Sequence, residues 1–180
     1  MKKICQELKK EHKLVGFYCD RDDLQFCYHG YIIDVRGDYI LFSRFTDDGI
    51  ADGYMLKHIC DILHIEVGGK YQERVKVLYH AHKQTHPSLE IERNKSLKKD
   101  VLKACEDMHL VASLNVVDDD DEYPIVGFIS TLGSIVKVEE LDQYGKYVCT
   151  SYVKRRWIES IEIEGIYEQN RHILYDNNRN

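Results

Sequence analysis

The second half of this 180-residue chain repeats the first. "KLVGF" at 13–17 returns as "HLVAS" at 109–113, and "GYIIDV" at 30–35 as "GFISTL" at 127–132. "LHIEV" at 63–67 returns as "IEIEG" at 161–165, and "YQERVKVLY" at 71–79 as "YEQNRHILY" at 167–175. The offset stays between 96 and 98 residues, so the insertions are short and belong in loops. Four matches in one order argue for an internal duplication, and a repeated sequence must be read as a repeated fold.

Each copy opens with a helix. In the first, Ile4 and Leu8 share a face at four-residue spacing among lysines and glutamates. In the second, Ser96 is placed to cap "LKKDVLKACEDM", where Leu97, Val101, Ala104 and Cys105 form the apolar stripe. Five extended segments follow in each copy, rich in Val, Ile, Tyr and Phe and separated by Gly and Asp clusters. They are expected at 13–20, 26–36, 39–46, 50–57 and 61–67, and at 109–117, 123–132, 134–141, 146–153 and 157–164. The closing segments, 71–79 and 167–175, change to helical spacing, with a sixth strand as the competitor because "VKVLY" also alternates. The expected fold is therefore mainly β with short helices (α+β). Residues 1–83 are expected to form one helix-plus-strands repeat, 84–95 a polar linker, and 96–180 the second repeat. Leu89 and Ile91 alternate enough to add an edge strand within that linker.

A helix followed by five short, strongly bent strands resembles the Sm-like small β-barrel, and more loosely other SH3-like barrels. The resemblance covers nearly the whole chain, taken twice, with Gly30 and Gly127 similar to the glycine that opens the second strand in that family. It implies two tandem five-stranded barrels. In RNA-binding members an Asp and Asn pair follows the second strand and an Arg-Gly pair lies between the last two. Here the first turn reads Val35-Arg36-Gly37-Asp38 or Leu132-Gly133-Ser134, and the later ones read "LKHICD" and "VKRRWIES". No family site residue carries over.

Several clusters invite a functional reading. Lys154, Arg155 and Arg156 are suited to phosphates and Trp157 to stacking on a base. Against this, Trp157 matches Ile59 of the first copy and reads as core, leaving the cations in a solvated loop. The net charge of -6 also opposes nucleic acid. His80, His82 and His86 cluster before Pro87, at a spacing that fits no standard metal site. Asp118–Glu122 has neither the spaced ligands nor the glycine of a calcium loop, and reads as a polar turn matching Asp20–Asp23. None of the six cysteines stands in C-x-x-C spacing, so thiols are expected, with Cys19 and Cys27 flanking one hairpin turn as the only pair to weigh for a disulfide.

No phosphate-loop, dinucleotide, zincin or nucleophile-elbow motif occurs. The expectation is a cytoplasmic, non-enzymatic binding or scaffold protein with no cofactor, no metal and no membrane segment. Its partner is expected to be another protein, because outward tyrosines among the 13 suit an interface. Single-stranded nucleic acid through Lys154–Trp157 and a metal-dependent activity at His80, His82 and His86 are the alternatives. Self-association through barrel edge strands is open as well.

Overall fold

The computed structural model describes residues 1–23, 25–92, 94, 96–116 and 124–179. Among them are ten strands and four α-helices, so the chain is α+β and mainly β. It divides into two compact units, one centred on Met1–Ser88 and one on Lys98–Asn180. No helix among the described residues is long and apolar enough to cross a membrane.

The first unit runs α1 (Lys2–Lys10), β1 (Leu14–Tyr18), β2 (Tyr28–Arg36), β3 (Tyr39–Phe45), β4 (Ala51–His58), β5 (His64–Val67) and α2 (Lys70–Ala81). The second runs α3 (Leu97–Asp107), β6 (Val111–Val116), β7 (Ile125–Leu132), β8 (Ile135–Leu141), β9 (Tyr147–Lys154), β10 (Ile158–Ile163) and α4 (Ile166–Arg179). Both have the same antiparallel order: β5-β1-β2-β3-β4 in the first, β10-β6-β7-β8-β9 in the second.

The shared backbone extends to details that short sequence matches do not reach. Helices α1 and α3 both end by reversing through a histidine in the left-handed region, His12 at φ 48° and His109 at φ 51°. The next amide reaches back to the last turn in each: Lys13 N–H to Leu8 O, Leu110 N–H to Cys105 O. This is the six-to-one closure that satisfies orphan helix carbonyls. The β3–β4 and β8–β9 turns are identical in bonding. Thr46 N–H bonds to Ile50 O and Gly49 N–H to Thr46 O, as Asp142 N–H bonds to Lys146 O and Gly145 N–H to Asp142 O.

These landmarks set the true alignment. From α1 through Gly30 the offset is 97, since Val15 pairs with Gly30 where Ala112 pairs with Gly127. Beyond β2 it is 96, because β2 holds one extra residue, Ile33, in a bulge that β7 lacks. Each unit buries the same positions. Cys5, Val15, Phe17, Ile32, Ile40, Phe42 and Ile62 are matched by Leu102, Ala112, Leu114, Ile129, Val136, Val138 and Ile158. In the first unit these residues form one cluster under α1, with the Phe17 and Phe42 rings 4.4 Å apart. Full burial of one such ring contributes roughly 1.5–3 kcal/mol. A second, smaller cluster lies on the opposite face of the sheet beneath the closing helix: Leu14, Phe45 and Val75 with Tyr31 and Tyr79, matched by Val111, Phe128, Leu141 and Tyr175.

Some expectations need correcting. Ile4 is 49% exposed; the inward residue of α1 is Cys5, one position on, with Leu8 beside it. Segments 71–79 and 167–175 are helical as expected, within α2 and α4, and not the competing strand. No strand forms among the described residues of 84–95. The acidic run Asp118–Glu122 lies outside the described residues.

Candidate functional site

Strand β9 and the short 3-10 turn that follows it, Arg155–Trp157, hold the residues singled out as a nucleic-acid candidate. Arg155 N–H bonds to Ser134 O at 2.9 Å, as Ile59 N–H bonds to Asp38 O at 2.8 Å in the first unit. This fixes the register: Arg155 stands for Ile59 and Trp157 for Asp61. Trp157 is accordingly not core. Its ring is 43% exposed, and the buried counterpart of Ile62 is Ile158. The sequence match that paired Trp157 with Ile59 is two residues out. In an alternating strand a shift of two keeps every apolar residue on its face, so hydrophobicity alone does not reveal the slip.

The three cations do not present a single face. Arg155 turns back and donates to Gly133 O. Arg156 lies over the Trp157 ring, 5.3 Å from its centroid, in cation–π contact. Only Lys154 lines the adjoining groove, a cavity of about 390 Å³ bounded also by Val116, Tyr152, Val153 and Trp157. This is an aromatic and aliphatic slot with one ammonium at its rim.

The groove continues onto an open strand. Among the described residues β9 is hydrogen-bonded to β8 alone. Tyr147, Val148, Cys149 and Tyr152 all face water, Tyr152 at 65% exposure. In the first unit the terminal strand β5 is four residues long and carries His64 and Glu66, the short and polar form that blunts an edge. β9 has eight residues, with a bulge of its own near its start, where Val148 and Cys149 stand against Glu140, and a lysine at its end.

In the first unit the chain covers a different surface, over Phe45 and Tyr54, with its own residues. After α2 the chain reverses through Lys83 (φ 52°) and lays residues 82–88 against β3 and β4. His86 Nε2 bonds to Arg44 O at 2.7 Å and its Nδ1 faces the Tyr79 hydroxyl at 3.4 Å. The imidazole packs edge-on against Phe45, 4.8 Å between centroids, and Tyr54 OH donates to Pro87 O at 2.7 Å. Burial holds the His86 pKa below the ordinary imidazole value. The counterparts of Phe45 and Tyr54 in the second unit are Leu141 and Thr150. No protein family, curated protein or solved structure matches the chain.

The structure does not gather His80, His82 and His86 as ligands of one ion: His86 is directed into the aromatic cluster, and His80 and His82 are exposed. The group of three potential ligands that does converge among the described residues is His58, Cys60 and Asp61, within 4.8 Å of one another on the turn after β4. It is largely satisfied from within. His58 Nδ1 accepts from Cys60 N–H at 3.2 Å and the Cys60 thiol donates to Asp61 at 3.3 Å. Sequence reading passed over these three because each is unremarkable until the turn folds. All six cysteines are thiols. Cys19 packs against the α1-side cluster of the first unit, whereas Cys27 sits beside His29 on the other face of the sheet.

Proposed function

We propose that this chain is a non-enzymatic binding protein built on two Sm-like barrels, which takes an extended segment of a protein partner along β9. The observation that carries the reading is the β9 edge, which is long, aromatic and, among the described residues, paired on one side only. Free N–H and C=O groups on such an edge supply affinity by strand addition, and side-chain pockets supply selectivity. The slot bounded by Tyr152 and Trp157 is such a pocket. The identical strand order behind an opening helix in each unit supports the barrel reading.

A photo-crosslinking amino acid at Tyr152, with one at exposed Lys76 as control, tests the proposal in cells. Capture of one protein at Tyr152 and not at Lys76, lost when Val148→Lys and Tyr152→Lys place charges on the edge, is the expected result. Capture that persists in the Val148→Lys chain would remove β9 from the account.

A second reading has a specific observation in its favour. Exposed Trp157, with Arg156 on its face and Lys154 beside it, is a base-stacking arrangement. Trp157 is the one tryptophan in the sequence, so its fluorescence reports on this site directly. Quenching by mixed oligonucleotides that fades as salt rises would favour nucleic acid; unchanged emission at low salt would dispose of it.

A further inference from the structure

On the helix-covered face of the first unit, three side-chain heads converge above Gly16 in β1. A Cβ built on Gly16 would stand 2.7 Å from Cys27 Sγ, 2.9 Å from Gln72 Nε2 and 3.7 Å from His29 Nε2. Cys27 leads into β2, His29 lies within it, and Gln72 comes down from α2. Cys27 Sγ and His29 Nε2 are 3.8 Å apart. Gln72 is 2% exposed, yet neither its amide oxygen nor its nitrogen has a partner, and His29, 5% exposed, has an unpartnered Nδ1. Leaving buried polar atoms unpaired costs roughly 1–3 kcal/mol each, and two side chains that carry such atoms meet above Gly16, each turning its Nε2 to the gap.

The second unit supplies the control. Gly16 is replaced there by Ser113, Gln72 by Glu168, Cys27 by Pro124 and His29 by Val126. The Ser113 hydroxyl donates to Oε1 of the buried Glu168 carboxylate, so the matching place is bridged by a hydrogen bond within its own unit. Where the second unit fills the position with a hydroxymethyl group, the first leaves it open and surrounds it with sulfur, imidazole and amide.

We propose that Cys27, His29 and Gln72 form a binding site for a single zinc-class metal ion above Gly16. Thiolate and imidazole are the ligand pair such borderline cations select. Bond lengths of about 2.3 Å to sulfur and 2.0–2.1 Å to nitrogen put the two donors roughly 3.6 Å apart at a tetrahedral angle, close to their separation here. Gln72 turns its amide nitrogen to this place and its oxygen toward Gly69 and Glu66, so the amide must rotate to present the oxygen as a third ligand, and water completes the shell. Binding releases the Cys27 proton. Tyr18, whose hydroxyl donates to Glu66 at 2.8 Å, flanks the thiol. An ion here would tie β2 to α2 across the sheet face, a cross-link that the second unit does without.

The test uses the whole chain, stripped of metal under reducing conditions and titrated with Co²⁺ and then Zn²⁺. One equivalent of Co²⁺ is expected to give the near-ultraviolet thiolate-to-metal band and visible bands of a tetrahedral site, discharged by Zn²⁺. The band is expected to vanish in Cys27→Ser, to weaken at least tenfold in apparent affinity in His29→Ala, and to persist in Cys60→Ser. In the unaltered chain, Zn²⁺ is expected to protect Cys27 from iodoacetamide while Cys60 and Cys149 stay reactive, a readout that needs no variant to fold. Equal alkylation of Cys27 with and without Zn²⁺ would overturn the proposal. So would a cobalt band that survives Cys27→Ser and disappears in Cys60→Ser, which would move the ion to the exposed turn at His58.

Discussion

Gly49 and Gly145 occupy the same place in the two units, and their side-chain hydrogens are required twice over. Both lie in the left-handed region, at φ 71° and φ 70°. A Cβ on Gly49 would come within 2.6 Å of Tyr79 N, and one on Gly145 within 2.4 Å of Tyr175 N. The repeated Leu-Tyr pairs in "VLY" and "ILY" are therefore the helix surface on which this turn rests. Gly49→Ala and Gly145→Ala should each cost more than the roughly 1–2 kcal/mol of a left-handed non-glycine residue, because the turn must also leave the helix. Gly37→Ala, at φ 59° with nothing near, should cost only the backbone part. Urea midpoints of the three variants measure the difference. Lys98 gives a second test at this scale. It is 5% exposed and donates to Ile158 O, and burial, helped by Arg155 and opposed by Glu159, lowers its pKa from 10.5 to about 8. Between those values the unfolded chain holds a proton that the folded one has released, so this lysine's contribution to stability rises with pH. The stability difference between the unaltered chain and Lys98→Met should thus shift in favour of lysine from pH 8 upward, at no more than about 1.4 kcal/mol per pH unit.

At the scale of elements, the segment 82–88 is a strap held by one ring. His86 bonds to Arg44 O and the Tyr79 hydroxyl, packs on Phe45 and Tyr54, and has Asp52 as its nearest charge influence. Burial lowers its pKa, so the strap is fully stabilised above the unfolded histidine value and loses that stabilisation as pH falls through the folded one. Protection of the backbone amides at 84–86 and 88, with each rate referred to its intrinsic value at that pH, should therefore fall on mild acidification, and in His86→Ala it should be low at every pH. Hydrogen exchange at neutral and mildly acidic pH checks both. The strands were largely legible in the sequence: the segment expected at 39–46 is Tyr39–Phe45, and that at 146–153 is Tyr147–Lys154. The segment expected from 61 begins at His64, because Ile59–Asp61 winds into a 3-10 turn that composition does not mark. For the helix at 70–81, the inward set of Gln72, Val75 and Tyr79 follows helical spacing, and that period prevails over the local "VKVLY" alternation. The site residues were harder to read. Lys154–Trp157 stood out as a cluster, but whether Trp157 faced core or water depended on a register that alternating residues conceal. Gln72 lies 45 positions from Cys27, and nothing in either segment shows that Gly16 leaves a gap between them.

For the whole chain, duplication and divergence act on different parts of the structure. The two units keep the order of strands, the reversal of each opening helix through histidine, and the glycine that rests on the closing helix. They differ where side chains leave that framework. The turn after the fourth strand carries His58, Cys60 and Asp61 in one and Lys154, Arg156 and Trp157 in the other. The place above the first strand is Gly16 among unpaired heads in one and Ser113 bonded to Glu168 in the other. Such a division is possible only if stability resides in the framework. The buried cluster of Phe17, Ile40 and Phe42 in the first unit is drawn from α1 and β1 to β4, all before residue 60, with Ile59 and Ile62 closing it. A chain of residues 1–92 should therefore fold alone, giving strand-dominated circular dichroism and one cooperative urea transition. The same holds for residues 96–180, whose closing cluster joins Val111, Phe128 and Leu141 to Tyr175 of its own α4. A fragment that shows no cooperative transition would mean that its core is incomplete on its own, and the chain would then be one folding unit despite its repeated pattern.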